Sequence, residues 1–204
     1  MKLDHLVVAG QNLKQTVMHS ESALGVSLPS GGQHDYFGTH NRLIGFERRE
    51  YFEAIAINPN AAEPGRPRWF GLDEFHGQPK LLTWVCRVDD LQAASRCLPA
   101  PVDIVELSRG DLRWRMAVPI DGALTLGGVV PLLIEWQGDL HPCDQLGNGG
   151  GCLKSLELAT PDADVVSILL ENLDLNDDRV RVKHASAACL RATIEARHGE
   201  RILT

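Results

Sequence analysis

The sequence predicts an α+β fold, with repeated β-α-β-β-β units forming a cupped, mostly antiparallel sheet and the helices on the outside. Three observations predict it. Short apolar runs with strand-like alternation outnumber the stretches with helical periodicity. The same order returns in three places along the chain: one strand, one helix, then further strands. Two Pro- and Gly-rich links set these places apart, NPNAAEPGRPRWFGLDEFHGQPK at 58–80 and GDLHPCDQLGNGGG at 138–151. Helices segregated to one side of antiparallel sheets accommodate such an order.

In the first unit, residues 3–9 read as a strand. Asn12 is placed to cap a helix whose apolar stripe is Leu13, Val17 and Leu24, and Gly25 to end it. Strands at 41–46 and 51–57 follow, joined by the charged turn Glu47, Arg48, Arg49, Glu50. The second unit has a strand at 82–88, a helix DDLQAASRCL capped by Asp89 or Asp90, and strands at 102–107, 111–118 and 129–136. The third has a strand at 153–159, a helix in TPDADVVSILLENL with Thr160 at the cap and Pro161 in its first turn, and strands at 180–184, 188–195 and 201–203. The expected organisation is a pair of units over 1–137, namely 1–57 and 81–137, and a third, shorter unit over 152–204.

Composition narrows the function classes. With 204 residues, 44% of them hydrophobic and 23% charged, the chain can bury a sizeable core in one compact unit or two small ones. The net charge is −7, and Lys and Arg are scattered, so no nucleic-acid partner is expected. The apolar stretch GGVVPLLI at 127–134 falls far short of the ~20 residues a membrane span needs, and MKLDHLVVAG lacks a signal-peptide profile. A soluble, cytoplasmic protein with no membrane partner is the expectation. The five cysteines, at 86, 97, 143, 152 and 189, are odd in number and have no close pair. They fit neither a disulfide framework nor a zinc knuckle and read as reduced thiols. No phosphate-cradling glycine loop, nucleophile elbow or zinc-protease helix is present.

Some residues are chemically out of place in their surroundings. In GGQHDYFGTHNRLIGF at 31–46, Gly31 and Gly32 free the backbone, while His34, His40 and Asn41 supply donors and acceptors; the stretch reads as a turn or as a binding wall. His5 has apolar neighbours on both faces of its strand and needs a partner. Glu53 in YFEAIAI and Glu135 in LLIEWQG are carboxylates in strongly apolar strands, and each must meet a cation, a metal, a proton or water. Alternation in DLRWRMAVP puts Leu112, Trp114, Met116 and Val118 on one face and Asp111, Arg113, Arg115 and Ala117 on the other. Arg115 could then pair with Glu53 or Glu135, hold a substrate carboxylate, or face solvent.

The order of units, with LDHLVV, GGQHDYFGTHNRLI, YFEAIAI, LRWRMAVP and PLLIEW, resembles the glyoxalase-like branch of the vicinal oxygen chelate superfamily. Glyoxalase I, extradiol dioxygenases and bleomycin-resistance proteins belong to the same superfamily. The resemblance covers residues 1–137. It implies two units cupped around a divalent metal (Zn, Ni, Mn or Fe), with ligands from the first and last strands of each unit. Those ligands would be His5, Glu53 and Glu135, with Thr83 standing where the fourth belongs. It further implies a lyase, isomerase or dioxygenase acting on a small oxygen-rich organic molecule, with Glu135 as ligand or catalytic base. His34, His40, Asn41 and Arg115 would then line the substrate wall. Its alternative is a metal-free protein of the bleomycin-resistance type that sequesters a small molecule. Because such cups use units in pairs, the third unit is expected to cover the other two or to meet a second chain in a homodimer.

Overall fold

The computed structural model describes residues 1–29 and 31–204. β1 (Lys2–Ala9) leads into α1 (Leu13–Leu24), where the Asn12 side chain accepts from the amide of Gln15 at 2.9 Å and Gly25 closes the helix at φ 72°. The glycine-rich stretch forms a short hairpin of β2 (Gln33–His34) and β3 (Thr39–Phe46), and β4 (Glu50–Ile57) follows. The second unit comprises β5 (Lys80–Arg87), α2 (Leu91–Ser95) capped by Asp90, β6 (Val102–Arg109), β7 (Leu112–Pro119) and β8 (Leu132–Trp136).

All eight strands join one sheet in the order β2-β3-β4-β1-β5-β8-β7-β6. Each unit pairs its first strand parallel to its last, β1 with β4 and β5 with β8, and the antiparallel pair β1/β5 joins the units. The sheet curls until its ends approach, and Arg109 at the end of β6 reaches Asn41 on β3. The 58–80 link is no surface connection. Its turn at Trp69–Glu74 drives Trp69, Phe70 and Leu72 into the cup, where they pack with Val7, Phe37, Ile55, Val85 and Met116. Their large aromatic side chains fill part of the concave face.

After α3 (Cys143–Leu146) come β9 (Cys152–Thr160), α4 (Ala163–Asn172), β10 (Val180–His184), β11 (Cys189–Ala196) and β12 (Gly199–Leu203). The order of elements repeats, but the pairing does not. These strands form a separate sheet, β10-β9-β11-β12, in which β9 lies between a parallel β10 and an antiparallel β11. Here α4 crosses between adjacent parallel strands, whereas in the first two units the first strand lies beside the last. Element order alone does not fix which strands pair.

This sheet covers the outer face of the larger one. Leu153, Leu156, Leu158, Leu190 and Ile194 share a core with Phe46, Phe52 and Trp84. Two clamps hold it there: the guanidinium of Arg179 grips both oxygens of Glu50 at 2.5 and 3.0 Å, and the amide of Leu81 donates to the carbonyl of Thr204 at 2.9 Å. The third unit thus takes the covering role within the chain. None of the described helices is long and apolar enough to cross a membrane.

Candidate functional site in the cup

The site begins with an irregularity in β1. Leu3 and His5 are two residues apart, yet they pair with Cys86 and Val85, which are adjacent, so Asp4 is an extra residue. Such a bulge reverses which side faces inward. Leu3, Leu6 and Val8 go to the outer core, while Val7 and Ala9 join the inner one with His5 on their side. Asp4 is wholly buried.

Burial alone would raise the Asp4 carboxyl, but hydrogen bonds from His141 and His5 outweigh it and hold it below the usual carboxylate range. Its Oδ1 accepts from Nδ1 of His5 at 2.7 Å, and its Oδ2 from Nε2 of His141 and Nε1 of Trp136, both at 3.1 Å. His141 comes from the 138–151 link, and its Nδ1 accepts from the amide of Cys143, which leaves Nε2 as the donor. These three N–H donors, with Nη1 of Arg87 at 3.4 Å from Oδ2, satisfy a carboxylate that would be prohibitively placed without them.

With Nδ1 of His5 donating to Asp4, its Nε2 turns a lone pair toward Glu53, whose Oε2 lies 3.6 Å away. The His5 ring stacks on Tyr51, with centroids 4.3 Å apart at 18°. The other oxygen of Glu53 accepts from Nδ2 of Asn41 at 2.5 Å. Two acceptors therefore face each other, and a proton, a water, a cation or a substrate group must stand between them. Behind Asn41, His34 bonds Thr39 at 3.1 Å and meets Trp69 edge-on at 4.9 Å. Burial, aided by the charge of Arg109, pushes His34 down to about 3, so it is neutral at pH 7, and its Nε2 lies 3.5 Å from Nδ2 of Asn41.

His34, Asn41, His5 and Glu53 thus come together in the cup; Glu135, Arg115 and His40 do not. Ile134 and Trp136 point inward from β8 and Trp114 and Met116 from β7, so alternation turns Glu135 and Arg115 outward. There Arg115 donates to Glu135 at 2.6 Å, and the second oxygen of Glu135 accepts from the amide of Leu91 at 2.8 Å, at the start of α2. These bonds hold Glu135 below its ordinary value against a desolvation that would raise it. His40 alternates with Thr39 and Asn41 and faces away likewise. Cys143 is no nucleophile, because burial pushes its thiol up to about 12.

The concave space has two parts. An inner cavity of about 30 Å³ is bounded by His5, His34, Asn41, Glu53 and the rings of Trp114 and Trp136. An outer chamber of about 470 Å³ is walled by the 109–112 turn and the 140–146 segment. Arg109 and Leu43 belong to both walls.

The sequence model of a family described as a glyoxalase-like domain matches residues 3–173. The chain belongs to this glyoxalase-like family. No curated protein matches it. Among solved structures, a methylmalonyl-CoA epimerase from Mycobacterium tuberculosis is 20% identical, with 68% of this chain and 89% of that one covered at a TM-score of 0.44. A variant of the Streptomyces coelicolor methylmalonyl-CoA epimerase in complex with 2-nitronate-propionyl-CoA is 17% identical, covering 67% and 96% at 0.42. A hypothetical protein from Bacillus halodurans C-125 is 12% identical, covering 69% and 96% at 0.43.

In this glyoxalase-like cup the four positions expected to hold a metal can be located by strand register. His5 faces Val85 and Val7 faces Thr83 across β1 and β5, so the relation between units exchanges His5 with Thr83 and Val7 with Val85. Val7 pairs with Glu53 on β4, and Val85 pairs with Leu132 on β8. The counterpart of Glu53 is therefore Leu132, three residues before Glu135. Thr83 spends its hydroxyl on the carbonyl of Gly128 at 3.1 Å. Among the described residues no cluster of three or more His, Cys, Asp or Glu side chains is arranged to hold an ion. Of the four positions, two carry metal donors that face the cup, His5 and Glu53.

The expected site residues omit several that matter. Asp4 announces itself only as a second polar residue beside His5 in an apolar run. His141 and Arg109 carry no local signal, because they reach the cup from a link and from the far edge of the sheet.

Proposed function

We propose that this glyoxalase-like protein is an enzyme that moves a proton on a small oxygen-rich organic molecule held in the cup. Glu53 would be its base, and His5, buttressed by Asp4, the partner group. One observation carries this reading: a buried carboxylate and an imidazole lone pair face each other at 3.6 Å in an aromatic-walled cavity, with no donor between them. Glu53 takes a proton from the substrate at Oε2, Asn41 fixes its other oxygen, and the charge that develops is screened from water by Trp69, Trp114 and Trp136. The same carboxyl returns the proton to a different atom or face of the molecule, so the change is isomerase-like and needs no electron acceptor.

A metal-dependent form of this reading places a divalent ion on His5 and Glu53. Their spacing favours it, since two ligands ~2.1 Å from a tetrahedral ion lie ~3.4 Å apart, and Asp4 behind His5 is the usual orienting carboxylate. The hydroxyl at Thr83 and the side chain at Leu132 weigh against it, and calorimetric titration with manganese, nickel and zinc tests it.

The deciding experiment follows hydrogen–deuterium exchange into a panel of small hydroxy and oxo compounds in heavy water by NMR. Wild type is expected to accelerate exchange in one chemical class, and Glu53→Gln to bind that class without exchange. Saturable binding by wild type with no accelerated exchange would replace the enzymatic reading with the sequestering one.

A further inference from the structure

At the junction of the two spaces stands Arg109, a cation with no carboxylate within ion-pair distance among the described residues. It ends β6, half-buried, and forms part of the wall of both the inner cavity and the outer chamber. Among the described residues its one polar contact is Nη1 to Oδ1 of Asn41 at 3.4 Å, longer than a good hydrogen bond. That same oxygen already accepts from the amide of Gly32 at 2.7 Å. No described carboxylate lies within ion-pair distance, although other arginines along the cup rim are paired, Arg49 with Asp144 and Arg87 with Asp4. The arrangement is built: a Cβ on Gly32 would stand 2.5 Å from Cδ of Arg109, and a Cβ on Gly31 would stand 1.8 Å from the carbonyl oxygen of Asn41. Gly32 leaves room for this guanidinium, and Gly31 lets the backbone before it pack against β3 beside Asn41.

We infer that Arg109 anchors the carboxylate of a small organic acid, placing the atom next to that carboxylate in the inner cavity between His5 and Glu53. The inference rests on the proposed reading of the cup and names its substrate class. A planar fork with most of its donors free matches a carboxylate bidentately. The inner cavity, at about 30 Å³, has room for a group about the size of one water, so only a small head enters, while the 470 Å³ chamber receives the remainder. Asp111 in the chamber wall disfavours a polyanionic tail, which selects a monocarboxylate over a phosphate ester.

The test uses pyruvate, 2-oxobutyrate and lactate, the methyl ester of each, and inorganic phosphate, followed by tryptophan fluorescence because Trp114 and Trp136 bound the cavity. The protein is wild type, Arg109→Lys, Arg109→Met and Glu53→Gln, each checked for an unchanged melting transition. At least one acid is expected to bind wild type saturably and its ester at least tenfold more weakly. Arg109→Met should lose at least tenfold, Arg109→Lys should fall between, and Glu53→Gln should keep acid binding. Acids and esters binding alike, Arg109→Met binding as wild type, no acid binding, or phosphate binding more tightly than every acid would each overturn the inference. Acid binding that depends on Arg109, without accelerated exchange, leaves the anchor standing and removes only the enzymatic reading. Exchange that persists in Arg109→Met does the reverse.

Discussion

Nδ1 of His5 is bonded to the carboxylate of Asp4 at 2.7 Å, and that carboxylate has no contact with solvent. The bond fixes the tautomer that aims Nε2 at Glu53. Asp4→Asn keeps the shape and removes the charge on which His5, His141 and Trp136 converge. The expected cost is about 2–3 kcal/mol in urea unfolding at pH 7, together with loss of the deuterium exchange proposed for the cup. Because the folded carboxyl sits below its usual range, its contribution is complete above about pH 4 and disappears as pH falls toward the folded value. The variant should lack that part of the acid loss. A variant as stable as wild type, with exchange intact, would reduce Asp4 to a bystander.

His34 predicts a pH dependence of the same sign in a different window. Burial, then the charge of Arg109, push it down to about 3, while in the unfolded chain it titrates near 6.5. Above that value neither state is protonated, and the histidine adds no slope. Between about 6.5 and 3 only the unfolded state takes the proton, so stability should fall by about 1.4 kcal/mol per pH unit on this account alone. Urea unfolding of wild type and His34→Gln at pH 7.5, 6.0 and 5.0 isolates the term, since the other histidines are common to both. Parallel curves would mean that His34 is reached by water.

Arg179 and Glu50 tie the covering sheet to the cup. Glu50 is buried and takes both of its bonds from Arg179, so removing the arginine strands a carboxylate beneath the third unit. Arg179→Met is expected to cost about 3 kcal/mol, and the added change Glu50→Leu to restore part of it, because it removes the stranded Glu50 charge while Asp177, also bonded to Arg179, stays unpaired. Thermal unfolding of the three proteins checks this. A double variant no more stable than the single would show that the pair is needed for docking itself.

Local chemistry made most of the fold legible. Asn12 and Gly25 bound α1 as capping rules require, Asp90 caps α2, and the apolar alternation of Trp114, Met116 and Val118 marks one face of β7. What sequence could not supply was parity. A single extra residue at Asp4 decides that His5 faces the cup. On β8, equating LLIEW with YFEAIAI by the look of the motif lands three residues from Leu132, the position that register assigns. Pairing is likewise absent from a one-dimensional pattern, which is why the third unit shares the element order of the others and forms a different sheet. The 58–80 link, a separator by its Pro and Gly content, sends Trp69, Phe70 and Leu72 into the cup, and their apolar content sits among turn residues with no strand or helix period to mark it.

Register makes one more testable claim. If Leu132 stands where a carboxylate would face Glu53, then Leu132→Glu should create metal affinity. Leu132 is buried on the inner side of β8, and a glutamate there would join His5 and Glu53 as a third donor. Unpaired, that carboxylate should destabilise the protein by about 2–4 kcal/mol. An ion held by three ligands should offset the loss, raising the melting temperature as zinc or manganese is added, in proportion to the logarithm of concentration over the dissociation constant. Wild type should show little such rise at the same metal concentrations, with two donors available. Glu135→Gln should leave whatever affinity wild type has unchanged, because Glu135 is bonded to Arg115 and the start of α2 on the far side of the sheet. Calorimetry on the three proteins decides it: if Leu132→Glu gains nothing while Glu135→Gln loses affinity, the ion is held on the outer face and the register argument is mistaken.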